Sequence, residues 1–233
     1  MSQGSNFSLI YRSFQWYIPN ANNYNVANGP TPRLGHTSAI YGDKLVVYGG
    51  HVIDGSISDE LWTLNLQNMQ WTNHGAQRHH NVQPLAYTAN TVIMDDMKLA
   101  IFGGLTQTPE NKFAVTKEMV FLNLQDLSWQ KPNKVFADSD DDVPAARMGA
   151  QMVYNDNKLH IYGGAKPKLD QQDSDEMTFS DFFTFELNNK NLWAKETRFN
   201  AMNDEQGEIL GKAIRLYNTD KAVFMGGCDA NTQ

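Results

Sequence analysis

Cysteine is nearly absent. Cys228 is the only one in 233 residues, which excludes an intrachain disulfide framework and a zinc site built from cysteines. Positive charge is also scarce: 19 Lys and Arg stand against 26 Asp and Glu, a formal net charge of −7 and a pI near 5.3. That balance argues against a nucleic-acid or anionic-membrane binder, which would carry a basic patch. No stretch approaches the ~18 consecutive apolar residues of a membrane span. Met1 to Ser8 lack both the basic start and the apolar run of a signal peptide, so a soluble cytoplasmic protein is expected. No Gly-x-Ser-x-Gly, His-Glu-x-x-His or Gly-Lys-Ser/Thr motif is present, and no catalytic, cofactor or metal-ligating residue is expected. What the chain does have is 41% hydrophobic and 11% aromatic residues, enough to bury a core and to exclude wholesale disorder.

Those residues recur in blocks. Diglycines stand at Gly49-Gly50, Gly103-Gly104, Gly163-Gly164 and Gly226-Gly227, spaced by 54, 60 and 63 residues. Each follows an apolar run, such as Leu45-Val46-Val47-Tyr48 or Leu99-Ala100-Ile101-Phe102. Between diglycines lies a second block: Glu60 to Leu66 then Trp71, Glu118 to Leu124 then Trp129, and Asp181 to Leu187 then Trp193. Its apolar residues alternate with period two, which is a strand with one buried face. A third block precedes the diglycine, Arg33-Leu34-Gly35-His36 in one copy and Arg147-Met148-Gly149-Ala150 in another. Turn residues then follow, as at Gly42-Asp43 and Asn155-Asp156-Asn157, and read as hairpins. Each unit is therefore four short antiparallel strands, with the diglycine ending the second and the Trp on the fourth.

The Arg-x-Gly-His start, the apolar run into Gly-Gly and the aromatic strand pair ending in Trp resemble the kelch repeat of β-propellers. The resemblance implies an all-β, kelch-type propeller of four-stranded antiparallel blades, as a single domain over 1–233. Full blades are expected over 31–74, 85–132 and 145–196, with the first two strands of another over 207–233. The second copy departs from the pattern, with Tyr87, Ala89 and Asn90 where Arg, Gly and His would fall, and the fourth has no Arg. Residues 1–18 supply the missing strand pair, because Trp16 aligns on Trp71 and Phe7, Leu9 and Tyr11 on the preceding apolar positions. Either the ends join in a closed four-bladed ring, or the chain is part of a larger propeller. Propellers run from about four to eight blades, and those of this family generally have five to seven.

The repeated residues read as structural. Gly49, Gly50, Gly103, Gly104, Gly163, Gly164, Gly226 and Gly227 allow backbone angles and close approaches that a side chain forbids. None of the pairs opens a helix, so a phosphate loop is disfavoured. Trp16, Trp71, Trp129 and Trp193 are expected to pack between blades. Arg33 and Arg147, at the start of the inner strand, are expected to pair with a neighbouring blade or, alternatively, to face a carboxylate ligand at the channel mouth. His74, His79 and His80 share a stretch with Arg78 and read as solvated loop histidines.

Function is expected on the long loops, the usual site of binding on a rigid scaffold. The loops between second and third strands and the inter-blade connections should emerge on one face. Around the third blade they carry Asp138, Asp140, Asp141 and Asp142, then Asp170, Asp173, Asp175 and Glu176, then Asp204 and Glu205. With Arg33 and Arg147 these are the candidate partner-contacting residues. A basic protein or peptide surface is the implied partner, met by a non-catalytic scaffold or adaptor. An enzyme or small-molecule binder acting at the channel mouth is the alternative.

Overall fold

The structure is a computed structural model that describes residues 28–77, 90–94, 97–108, 112–169, 177–187, 191–196, 208–209, 211–216, 221–225 and 228–229. Trp16, Gly226, Gly227 and the strand pair expected over 1–18 lie outside these residues.

Antiparallel sheets of consecutive strands make up the blades. The first runs Thr37–Tyr41, Lys44–Tyr48, Glu60–Asn65 and Gln70–Ala76, from inside to outside. In the second the strands are Asn90–Ile93, Lys98–Phe102, Met119–Asn123 and Trp129–Gln130. The third comprises Gln151–Asn155, Lys158–Tyr162, Phe182–Glu186 and Leu192–Lys195. Lys212–Arg215 and Ala222–Met225 form a further hairpin. The inner strand of the third blade packs beside those of the second blade and of this hairpin.

Period two explains the stacking. Leu99 and Ile101 turn toward the first blade and join Ala39, Val46, Tyr48 and Leu61 in one core. Their neighbours Ala100 and Phe102 turn the other way, toward Met152, Leu159, Ile161, Phe183, Phe185 and Trp193 of the third blade. A strand buried on both faces reads as a continuous apolar run, which is why Leu-Ala-Ile-Phe precedes the diglycine.

Edges are handled blade by blade, as sheets must do to avoid pairing with other chains. The first outer strand is irregular opposite Glu60 and Trp62, near Gly75 with φ +77°, and such a bulge twists an edge away from pairing. The third is covered by Phe136–Ala137, which adds in parallel along Leu192 and Trp193. That fifth strand comes from the inter-blade connection, where the sequence pattern predicts loop. Asn191 holds it by donating from Nδ2 to the carbonyls of Asn133 and Lys134, 3.3 Å each.

One boundary moves. Arg33 and Arg147 do not begin the inner strands, which start four residues later, at Thr37 and Gln151. Gly35 and Gly149 intervene at φ +64° and +66°, a left-handed turn that no strand continues through. Gly164 shows why the diglycine is required. Its φ is +94°, and a Cβ there would lie 2.9 Å from the Met148 carbonyl and 3.0 Å from the Ala150 side chain.

Candidate functional site

The long loops are joined to one another at one end of the sheets. Arg33–Leu34, entering the first blade, pairs with His51–Val52, which leaves its diglycine. Met148 and Ala165 repeat that contact in the third blade through two backbone hydrogen bonds, 2.8 and 2.9 Å. Glu208–Ile209 and Cys228–Asp229 repeat it again. Neighbouring units are stitched too: the Gly104 N–H donates to the Arg147 carbonyl at 2.8 Å, and the Arg147 N–H to the Thr116 carbonyl at 3.3 Å. These bonds tie the described ends of the loops to one another at the base of that face.

Two arginines anchor this surface from below, and in the same way. Arg33 donates from Nε to the Thr31 carbonyl, from Nη1 to the Gly49 carbonyl and from Nη2 to Glu60 Oε2, each at 3.0 Å. Arg147 donates from Nε to the Ala145 carbonyl (3.1 Å), from Nη1 to the Gly163 carbonyl (2.9 Å), and from both Nη atoms to the Asp181 carboxylate. Its guanidinium also lies 4.0 Å from the Phe179 ring centroid. The expectation of pairing with a neighbouring blade is therefore corrected, since Glu60 opens, and Asp181 directly precedes, the third strand of the arginine's own blade. The cause is the register: Tyr48 pairs with Leu61 and Tyr162 with Phe182, which sets the residue just before each beside its own diglycine. Burial alone would raise the Glu60 carboxyl, but hydrogen bonds donated by Trp62, Arg33 and Asn73, with the Arg33 charge, together hold it below its ordinary range. In the second copy, where the arginine is missing from the sequence, Glu118 pairs instead with Lys131 at 2.8 Å on the surface.

The acidic connection divides into two roles. Asp140–Asp142 form a short 3-10 turn. Asp142 accepts from the Ser139 hydroxyl (2.8 Å) and N–H (3.1 Å), and from the Lys195 N–H (3.2 Å). These bonds hold its carboxyl below the usual carboxylate range, the Ser139 hydroxyl contributing most. Asp142 thus clamps the connection to the third blade. Asp138, Asp140 and Asp141 are exposed around that clamp. Asp170, Asp173, Asp175, Glu176, Asp204 and Glu205 lie outside the described residues. Pro32, Leu34, His51, Val52 and Ile53 line an apolar groove beside Arg33. No group of three or more His, Cys, Asp or Glu among the described residues could hold a metal ion.

His74, expected as a solvated loop histidine, and His160 each meet a buried threonine. His74 does not sit in a loop. It belongs to the outer strand Gln70–Ala76, with Nε2 2.9 Å from Thr63 Oγ1. At the matching position of the third blade, Thr184 gives its O–H to Glu196 Oε1 (2.9 Å) and takes His160 Nδ1 at 3.1 Å. A Thr three residues after the acid in both blades was the available signal. His79, His80 and Arg78 lie outside the described residues.

Burial lowers both histidines from the ordinary 6.5, with Lys44 adding to the effect at His74 and Glu196 opposing it at His160. The folded state therefore binds these protons less tightly than the unfolded chain does. Their stabilising contribution is full above about pH 6.5 and is lost as pH falls through the lowered folded values. Urea midpoints should decline between pH 7.5 and 5.5 and decline less for His74→Gln/His160→Gln. An identical slope for that variant and the wild type would refute the assignment.

Stacked four-stranded sheets, each with a diglycine at the end of its second strand and an Arg–carboxylate lock on that diglycine in two of them, define a kelch-type β-propeller. The KLHDC2/KLHL20/DRC7 Kelch-repeats domain matches residues 5–134, and the chain belongs to the kelch-repeat family. At family level these propellers act in protein–protein interaction. Over 155 residues the chain is 31% identical to Kelch repeat-containing protein 2 of Saccharomyces cerevisiae, which covers 63% of this chain and 17% of that protein. It is 28% identical to Host cell factor 1 of Homo sapiens over 58% of this chain and 7% of that protein. Tip elongation aberrant protein 1 of Schizosaccharomyces pombe shares 28% identity over 85% of this chain and 16% of its own length. The chain therefore spans a small part of these relatives. The solved structure of YjhT shares the fold, with a TM-score of 0.60 at 14% identity, over 88% of this chain and 68% of that one. No helix among the described residues is long and apolar enough to cross a membrane.

Proposed function

We propose that the chain is a non-catalytic protein-interaction module whose tied loop face receives a basic protein or peptide surface. The observation that carries the reading is the acidic connection: Asp142 accepts two hydrogen bonds from Ser139 within it and one from the Lys195 N–H of the third blade, while Asp138, Asp140 and Asp141 stay exposed. Fixed charges of one sign raise the rate of encounter with an opposite surface more than they raise affinity. The small-molecule reading at the channel mouth has less support. The Arg33 and Arg147 side chains are 3% and 0% exposed, and their donors are engaged by the backbone and by Glu60 and Asp181.

The test is charge reversal at Asp138, Asp140 and Asp141 to Lys, with Asp142 kept so that the clamp survives. Association with a Lys/Arg-rich peptide at low salt should slow by ~10-fold, and the variant should lose the salt dependence seen in the wild type. An unchanged association rate, with the fold intact by circular dichroism, would refute the acidic face.

A further inference from the structure

Ser139 is exposed and in extended backbone, φ −145° and ψ 166°, at the start of the turn Asp140–Asp142. Carboxylates fill the position before it and all three positions after it. Acidophilic serine/threonine kinases read that pattern, because their basic substrate grooves bind carboxylates that follow the target hydroxyl, the third above all. Among the described residues, two other serine or threonine hydroxyls have an acid three residues on, and neither offers the same target. Ser56 is only partly exposed and is followed by the buried Ile57 and by Ser58. Thr178 is followed by Phe179 and Ser180, lies in the strand Met177–Thr178, and its acid is the Asp181 that Arg147 holds. The Ser139 hydroxyl also has a part in the fold. It donates to Asp142 Oδ2, while Asp142 Oδ1 accepts from the Lys195 N–H. One carboxylate thus joins the serine to the third blade.

We propose that Ser139 is a phosphorylation site for an acidophilic serine/threonine kinase, and that its phosphorylation releases the acidic connection from the third blade. In the transfer, Ser139 Oγ bonds to the γ-phosphorus of ATP and the bond from that phosphorus to the bridging oxygen of ADP breaks. ADP leaves with that electron pair, and the hydroxyl proton passes to the base of the kinase. The product has lost the O–H that Asp142 accepted and carries a charge of roughly −2 beside it. Asp142 is ionised, because its hydrogen bonds hold it below the usual carboxylate range. A phosphate set next to carboxylates acts by like-charge repulsion, so Asp142 swings away and gives up the Lys195 N–H. Lys195 also attracts Asp142, but its single charge does not offset a phosphate set among Asp138, Asp140, Asp141 and Asp142. What the switch means for a partner rests on the reading of the acidic face proposed above: the face gains charge and comes free of the blade. The modification and the release do not rest on it.

The test treats the folded 233-residue chain with casein kinase II, an acidophilic enzyme, and magnesium ATP. Peptide mass spectrometry should find phosphate entering Ser139 about ten-fold faster than Ser56 or Thr178. In the product, amide exchange followed by NMR should quicken by about ten-fold at Lys195 and stay unchanged at Ile161, in the second strand of the same blade. Ser139→Ala should take up no phosphate in this segment, and its Lys195 exchange should fall well short of that increase, because it loses the hydroxyl without gaining the charge. A folded chain left without phosphate at Ser139 would overturn the site. Unchanged Lys195 exchange in the phosphorylated chain, or an equal increase in Ser139→Ala, would overturn the release. Neither readout uses a basic partner, so a failure here leaves the acidic face standing, and an unchanged association rate there leaves the phosphorylation site standing.

Discussion

Replacing Arg147 with Met is expected to destabilise the chain by about 3–5 kcal/mol, the range for removing one partner of a buried ion pair. Arg147 is fully buried, and the Asp181 side chain is 22% exposed. The substitution leaves that carboxylate without its counter-charge and the Gly163 carbonyl without its donor. Asp181→Asn should cost less, because the amide oxygen still accepts one hydrogen bond. Arg147→Met/Asp181→Leu should recover most of the loss, since an apolar pair of similar volume often matches a buried ion pair in stability. Urea unfolding of the three variants gives the comparison. A loss below about 1 kcal/mol for Arg147→Met would show that the lock contributes little.

Trp193→Ala is the second large effect, again about 3–5 kcal/mol. Trp193 is 4% exposed and fills the space between blades, with ring centroids 5.5 Å from Phe102 and 4.7 Å from Phe185. Few neighbours can collapse into the cavity, because Leu159, Ile161 and Phe183 around it are held by strand register. Trp71→Ala should cost well under half as much in the 233-residue chain, for Trp71 is only half-buried, with Trp62 beside it at 6.4 Å. Equal losses at the two positions would show that the difference in burial does not set their cost.

The acidic connection shows how the two kinds of information differ. Its charge was plain in the sequence, and so was its place between the second and third blades. The Ser-x-x-Asp spacing of Ser139 and Asp142 is a local capping signal, but nothing in the segment shows that the same carboxylate reaches the third blade. That contact depends on the Lys195 N–H arriving from 53 residues away. His74 was misread for a similar reason. Its neighbours look like a loop, and only the register of Glu60–Asn65 against Gln70–Ala76 brings Thr63 to its ring.

The sequence by itself determined the repeat, the strand pattern and the family. Those rest on local physics: alternation along a strand, turn residues between runs, and a left-handed backbone that only glycine adopts easily. Gly50, at φ +100° with Cβ space closed by the Leu34 carbonyl at 3.1 Å, is one such place. The tertiary structure decided which acid each arginine takes and that Phe136–Ala137 closes the third blade's outer edge. Those outcomes depend on register and on the stacking of one twisted sheet on the next. Both are set by contacts between residues far apart in the chain, where local spacing carries no information.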